Sequence, residues 1–143
     1  MSYLVNRRQL TIEWGHCDPA GIVFNGRYFE FSDSSTGLLF EKALGANNPQ
    51  LVTEYGATIP LIGVSGRFIK AIKLADVIEI ASTIREFRRS SFDVAHAFFK
   101  DGELAAETQE TRVWCSIDSA NPPNLKSQPF PADFIDRFRA VDQ

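Results

Sequence analysis

At 143 residues and 44% apolar content, the chain is long enough for one domain whose core needs no metal or disulfide framework. A net charge of −3 supplies no broad basic surface, which argues against nucleic acid or an anionic membrane as a partner. Cys17 and Cys115 are too few and too widely spaced for a disulfide scaffold or a CxxC metal site, and no run reaches the ~20 apolar residues of a membrane span.

The N-terminal "MSYLVNRRQLTIEW" lacks the apolar run of a signal peptide, so a single domain over 1–143 is expected in the cytoplasm with both thiols reduced. In "RRQLTIEW" (7–14), Leu10, Ile12 and Trp14 alternate with polar residues, the period of a half-buried strand. After a loop through Gly21, a helix is predicted from about Gly26 to Leu44. Its inward stripe is Tyr28, Phe31, Ser35, Leu38, Leu39 and Lys42. Small residues from Ser32 to Gly37 are weak helix formers, but they let a helix lie close against a sheet. Gly45 fits the residue that ends it.

A short second helix is predicted over 47–55, with Asn48 as its cap and Pro49 in its first position. Four strands are predicted at 58–70, 77–87, 91–100 and 104–117. Ile78, Ile80 and Ile84 share one face, as do Phe92, Val94, His96 and Phe98; in the last strand Val113, Cys115 and Ile117 alternate. "DG" at 101–102 predicts a two-residue hairpin turn. A Pro-rich arm (122–131) leads to a short terminal helix starting near Pro131. One long helix beside one antiparallel sheet is an α+β layering. A free sheet edge or rim then predicts pairing into a homodimer at least.

The segment "GHCDPAGIVFNGRYFEF" (15–31) carries the chemistry. Asp18 is the one carboxylate between Gly15 and Gly26, Pro19 biases it toward an extended backbone, and Gly21 allows a tight turn. A helix then starts, and its first N–H groups lack intrahelical acceptors and carry the positive end of the dipole. Such donors polarise a carbonyl oxygen, and a nearby carboxylate attacks the carbonyl carbon or activates a water. From spacing alone the same residues also read as a turn with an Asp cap.

"IEWGHCDPAGIVFNGRYFEF", "EFRRSSF" (86–92) and "PFPADFI" (129–135) together resemble the 4-hydroxybenzoyl-CoA thioesterase family over about residues 8–137. The resemblance implies a hot-dog fold, one central helix packed on a five-stranded antiparallel sheet, assembled as a dimer or tetramer. It implies hydrolysis of an aromatic (4-hydroxybenzoyl- or benzoyl-like) or short acyl-CoA to the free acid and coenzyme A, with no cofactor and no metal. By the same resemblance, Asp18 is the catalytic nucleophile or general base. The backbone N–H of Asn25 polarises the carbonyl, and the family's usual Tyr is absent at this position. Asp33 meets the far end of the acyl group, or else is a solvent-exposed or subunit-contact residue. Arg88, Arg89 and Lys126 hold the coenzyme A phosphates, while Ser90 stands where the family has a further basic residue.

Competing chemistry is poorly supported. Adjacent His16 and Cys17 in extended chain point apart, so a thiolate–imidazole pair is not expected, and Cys17 reads as a buried structural residue. His96 reads as a satisfied core histidine. Hot-dog hydratases pair an Asp with a His five residues on, and here that position is Val23. A non-catalytic acyl-CoA binding module is the alternative that would not need Asp18.

Overall fold

The structure, a computed structural model, describes residues 2–118 and 124–140. Strand β1 (Val5–Thr11) leads through one 3-10 turn (Trp14–His16) to the long helix α1 (Asn25–Leu44). The short α2 (Asn48–Gln50) follows and widens into a π turn at Leu51–Tyr55. Then come β2 (Ala57–Thr58), β3 (Leu61–Phe68), β4 (Val77–Phe87), β5 (Ser91–Lys100), β6 (Glu103–Val113), β7 (Cys115–Asp118), β8 (Asn124–Ser127) and a final 3-10 turn at Ile135–Phe138. The five-stranded sheet has the antiparallel order β1-β4-β5-β6-β3, and α1 packs on one face of it in the hot-dog arrangement.

Alternation decides which face is covered. Ile78, Ile80 and Ile84 of β4, and Phe92, Val94, His96 and Phe98 of β5, are all buried beneath α1. Asp101 and Gly102 both take left-handed φ values, 53° and 76°, and Lys100 pairs with Glu103 across the two-residue turn that "DG" predicts. Gly45 ends α1 at φ 69°, its N–H bonding to the Glu41 carbonyl at 2.8 Å.

Five expectations need correction. Trp14 does not continue β1, because the chain turns after Ile12 and leaves Trp14 62% exposed. Leu38 and Lys42 fall outside the buried stripe of α1, which runs through Tyr28, Phe31–Ser32, Ser35–Thr36, Leu39–Phe40 and Ala43–Leu44. Asn47, not Asn48, caps the second helix: its side chain accepts from the Gln50 N–H at 3.0 Å while Gln50 returns a bond to its N–H, so Pro49 sits one place further in. The predicted strands at 58–70 and 104–117 each break, at Ile59–Pro60 and at Trp114. The pieces β2 and β7 join β8 in a separate three-stranded sheet. The terminal helix is one 3-10 turn that seats Phe134 and Phe138 against Phe40. Residues 122–123 of the Pro-rich arm lie outside the described residues.

The core is not one apolar body. One cluster gathers Leu39, Phe40, Phe92, Trp114, Phe134 and Phe138; another gathers Ile12, Tyr28, Phe31, Ile78, Ile80 and Phe98. Between them runs a buried polar layer of Ser32, Ser35, Thr36, Ser82, His96, Thr108, Glu110 and Arg112. Ser32 bonds Thr108 at 2.6 Å, and the Thr36 hydroxyl donates to Glu110. His96 Nε2 lies 2.9 Å from Glu110 Oε1, and its Nδ1 lies 2.6 Å from the Ser82 hydroxyl. Arg112 donates to Glu110 Oε2 at 2.6 Å. The small residues of α1 therefore serve as hydrogen-bond partners as well as letting the helix approach.

Burial alone would raise the Glu110 pKa. The hydrogen bonds from His96, Arg112 and Thr36, with the Arg112 charge, outweigh it and bring the value from 4.5 down to about 2. A carboxyl depressed in the folded state adds stability that is complete above its unfolded pKa and is lost as acid protonates the native form. Melting temperature measured against pH should therefore fall between about 4.5 and about 2, and Glu110→Gln should flatten that part of the dependence. An unchanged slope in the variant would remove Glu110 from this role.

Candidate active site

Residues 17–23 form a small hairpin, and the order Asp-Pro-Ala-Gly explains it. The Asp18 N–H bonds the Ile22 carbonyl at 2.9 Å, the Gly21 N–H bonds the Asp18 carbonyl at 2.9 Å, and Cys17 pairs with Val23. Gly21 adopts φ 78°, the left-handed conformation that closes such a three-residue loop. Asp18 Oδ1 accepts from the Ala20 N–H at 2.8 Å. Its second carboxylate oxygen bonds nothing among the described residues, and the side chain is half-buried.

The hairpin is braced from two sides. Val23 N–H bonds the Ile72 carbonyl at 2.8 Å, Leu74 N–H bonds the Gly21 carbonyl at 3.0 Å, and Phe24 N–H returns to the His16 carbonyl at 3.0 Å. The chain then enters α1 with Phe24 at its cap, at φ −65° and ψ 139°, and Phe24 makes no capping hydrogen bond from its side chain. Preferred caps carry a side-chain oxygen that satisfies a first-turn donor, and Phe has none. Neither the Asn25 nor the Gly26 N–H bonds an acceptor among the described residues. Free donors at the positive end of a 20-residue helix thus begin two residues after Val23, which bridges to Cys17 beside Asp18. A depression of about 160 Å³ opens there, lined by Ile22, Val23, Asn25, Tyr28, Phe68 and Ile72 among others. A wider hollow of about 470 Å³ lies on the sheet face turned away from α1, floored by Ala81, Ala95 and Ala97 and lined also by Arg7, Arg67 and Arg85.

The other candidate residues lie in three places. Asp33, on α1, is exposed, and its Oδ1 accepts from the buried Arg112 at 2.7 Å. The basic turn between β4 and β5 holds Arg88 and Arg89. Arg88 is already engaged: Nε donates to Ser91 at 2.7 Å, and the two terminal nitrogens donate to Glu86 and to both oxygens of Asp93. Its hydrogen bond to Asp93 raises its pKa. Arg89 is exposed with no ion-pair partner among the described residues. Lys126, on β8, is exposed as well. Trp114 links the basic turn to the end of β8, since its N–H bonds the Ser90 carbonyl at 2.7 Å and its carbonyl accepts from the Gln128 N–H at 3.0 Å.

His16 and Cys17 do not pair. His16 Nδ1 accepts from the Glu13 N–H, and Cys17 Sγ, half-buried, lies 3.6 Å from the Glu13 carbonyl. His96 is the satisfied core histidine that its apolar neighbours predict.

Residues 12–138 match the model of the thioesterase-like superfamily. The chain belongs to that superfamily. It is 31% identical over 134 residues to the 4-hydroxybenzoyl-CoA thioesterase of Pseudomonas sp. (strain CBS-3), covering 90% of this chain and 93% of that protein. The solved structure of the Pseudomonas enzyme matches with a TM-score of 0.83 at 30% identity, covering 93% of this chain and 98% of that one. An Asp-to-Asn variant of a 4-hydroxybenzoyl-CoA thioesterase, complexed with 4-hydroxybenzoyl-CoA, matches with TM-score 0.83 and 29% identity over 94% and 98% of the two chains. A gentisyl-coenzyme A thioesterase matches with TM-score 0.78 and 25% identity, over 93% and 98%. The protein is an acyl-CoA thioesterase.

In this thioesterase the position of the Asp18 backbone depends on one left-handed residue. A Cβ at Gly21 meets nothing within 4 Å, so only the positive φ opposes a side chain there. Gly21→Ala should cost about 1–2 kcal/mol, read as a lowered denaturation midpoint. No loss of stability would mean that the turn relaxes freely and does not fix Asp18.

Proposed function

We propose that this thioesterase hydrolyses an aromatic acyl-CoA of the 4-hydroxybenzoyl or benzoyl kind, with Asp18 and the start of α1 as the reacting centre. The observation that carries the reading is the pairing of a half-free carboxylate with an uncapped helix start on one hairpin-helix unit. The thioester oxygen takes the Asn25 N–H, where developing negative charge meets a preoriented donor and the helix dipole. The Asp18 carboxylate then attacks the acyl carbon, or removes a proton from a water that does. The C–S bond breaks, and the thiolate leaves and is protonated to coenzyme A. Where Asp18 attacks, water then cleaves the resulting mixed anhydride, releasing the acid and restoring the carboxylate; where water attacks, it supplies the second oxygen of the acid directly. The aromatic acyl group is drawn from the relatives' substrates and from the ring-rich surroundings of the helix start, where Tyr28 packs on Phe68 and Phe98.

Asp33 contacts the far end of the acyl group in this reading. Arg89 and Lys126 meet the coenzyme A phosphates, and Arg88 lends charge from within its clamp while setting the turn. The active form is a homo-oligomer. β3 lies at the sheet edge and exposes Leu61, Ile62, Val64 and Phe68, an apolar rim that a second copy of the same strand would cover.

Asp18→Asn should lower kcat by about 10²–10⁴-fold while the thioester still binds. Turnover close to wild type would point instead to a binding module or to a different catalytic group. Arg89→Ala should raise KM for the CoA ester on the order of tenfold with kcat little changed. Arg88→Ala should lower thermal stability as well, because it leaves Asp93 and Glu86 without their cation. Equal KM effects without any stability difference would contradict this division of roles.

A further inference from the structure

Arg112 is a cation that the hydrolysis as described does not use. Its side chain is 7% exposed, and it reaches from the polar layer of the core to the surface of α1. One terminal nitrogen donates to the Ile59 carbonyl at 2.9 Å. The other is shared by two carboxylates, Glu110 Oε2 at 2.6 Å inside the core and Asp33 Oδ1 at 2.7 Å outside it. Its Nε is the one buried side-chain nitrogen or oxygen among the described residues left without a hydrogen-bond partner.

An orphaned buried donor is unfavourable and calls for a reason. Here the guanidinium plane is turned so that its terminal fork serves Ile59, Glu110 and Asp33 at once, and Nε is left behind. Fold stability is a weak reason to keep such a cation, because a buried Arg–Glu pair is often replaced by apolar residues without loss. The fork has one function that an apolar residue would lack: it fixes an exposed carboxylate. Glu110 is itself held by His96 and Thr36, so the hold on Arg112 runs back to the sheet and to α1.

We propose that Arg112 is a positioning residue for acyl-group selectivity. Anchored by Glu110, it holds Asp33 in a fixed orientation, so that the second Asp33 oxygen accepts a hydrogen bond from a donor at the far end of the acyl group. The proposal rests on the reading of Asp33 as that distal contact. Lysine cannot replace Arg112, since one ammonium cannot serve two carboxylates and a carbonyl with the reach of a planar fork. Acyl groups bearing a hydroxyl donor are favoured over the same ring without one, because the unsubstituted ring displaces water from the second Asp33 oxygen and offers it no donor.

The test compares kcat/KM for 4-hydroxybenzoyl-CoA and benzoyl-CoA in the wild type, Asp33→Asn, Arg112→Lys and the double variant. Arg112→Lys should lower the ratio of the two by about tenfold or more, and should lower it no further once Asp33→Asn is present. Loss of activity on both esters in equal proportion, with the ratio kept, would reduce Arg112 to a structural residue and overturn the proposal. So would additive effects in the double variant. A ratio unmoved by Asp33→Asn overturns the reading of Asp33 and the proposal with it, whereas a ratio moved by Asp33→Asn but not by Arg112→Lys strikes Arg112 alone. If Arg112→Lys does not fold, Arg112→Met with Glu110→Leu removes the buried pair as a unit and should lower the ratio in the same way; a ratio kept in that protein also overturns the proposal.

Discussion

The hydrogen bonds converging on Glu110 set where α1 lies on the sheet. A helix seated only on apolar side chains slides and rotates at low cost, because dispersion and burial are weakly directional. Thr36 of α1, His96 of β5 and Arg112 of β6 all donate to one carboxylate. Ser32 meets Thr108 one turn nearer the helix start. These bonds have fixed lengths and directions, so they define the register of the helix along its own axis. The free N–H groups of Asn25 and Gly26 are thereby held in place from the middle of the helix. The arrangement also explains how a weak helix sequence survives in α1. Ser32, Ser35 and Thr36 lose helix propensity but gain buried partners.

The same layer shows what alternation reveals and what it hides. Isoleucines on β4 and phenylalanines on β5 mark their inward faces without ambiguity, and Asp101-Gly102 fixes the register of β5 with β6. On β6 the inward positions are Thr108, Glu110 and Arg112, residue types that ordinarily face water. Apolar pattern alone therefore favours Val113, Cys115 and Ile117 as one continued face, and misses that Trp114 ends the strand. The missing signal was available only in combination. A His among phenylalanines, a Glu and an Arg two residues apart, and a serine-threonine run in a helix each look like surface residues or local oddities. Together they satisfy one another. Such pairings join positions up to 76 residues apart, beyond the reach of any local pattern.

Legibility of the candidate site follows the same division. Asp18, Gly21 and the start of α1 are neighbours in sequence, so local turn and helix signals were enough to single them out. The bland reading of that segment as a turn and the catalytic one also turn out to be compatible: one oxygen of Asp18 serves the turn, the other bonds nothing among the described residues. At Arg88 the sequence shows two adjacent arginines that look alike, and only the fold distinguishes them. Asp93 lies across the turn on the next strand and takes Arg88, leaving Arg89 exposed. The tie between Asp33 and Arg112 is of the long-range kind, and no local feature announces it.

The central claim is that the main-chain donor at the first position of α1 polarises the thioester carbonyl beside Asp18. Asn25→Pro tests it directly. Proline is well tolerated at a first helical position, and Phe24 already has the extended backbone that a following proline requires. The substitution deletes the Asn25 N–H donor and leaves α1 intact. The carbonyl stretch of a bound 4-hydroxybenzoyl thioester should move to lower frequency than in water in the Asp18→Asn protein, and return toward the free value when Asn25→Pro is added, with turnover lost in Asn25→Pro alone. A folded Asn25→Pro protein that keeps both the shifted stretch and its turnover would contradict the account.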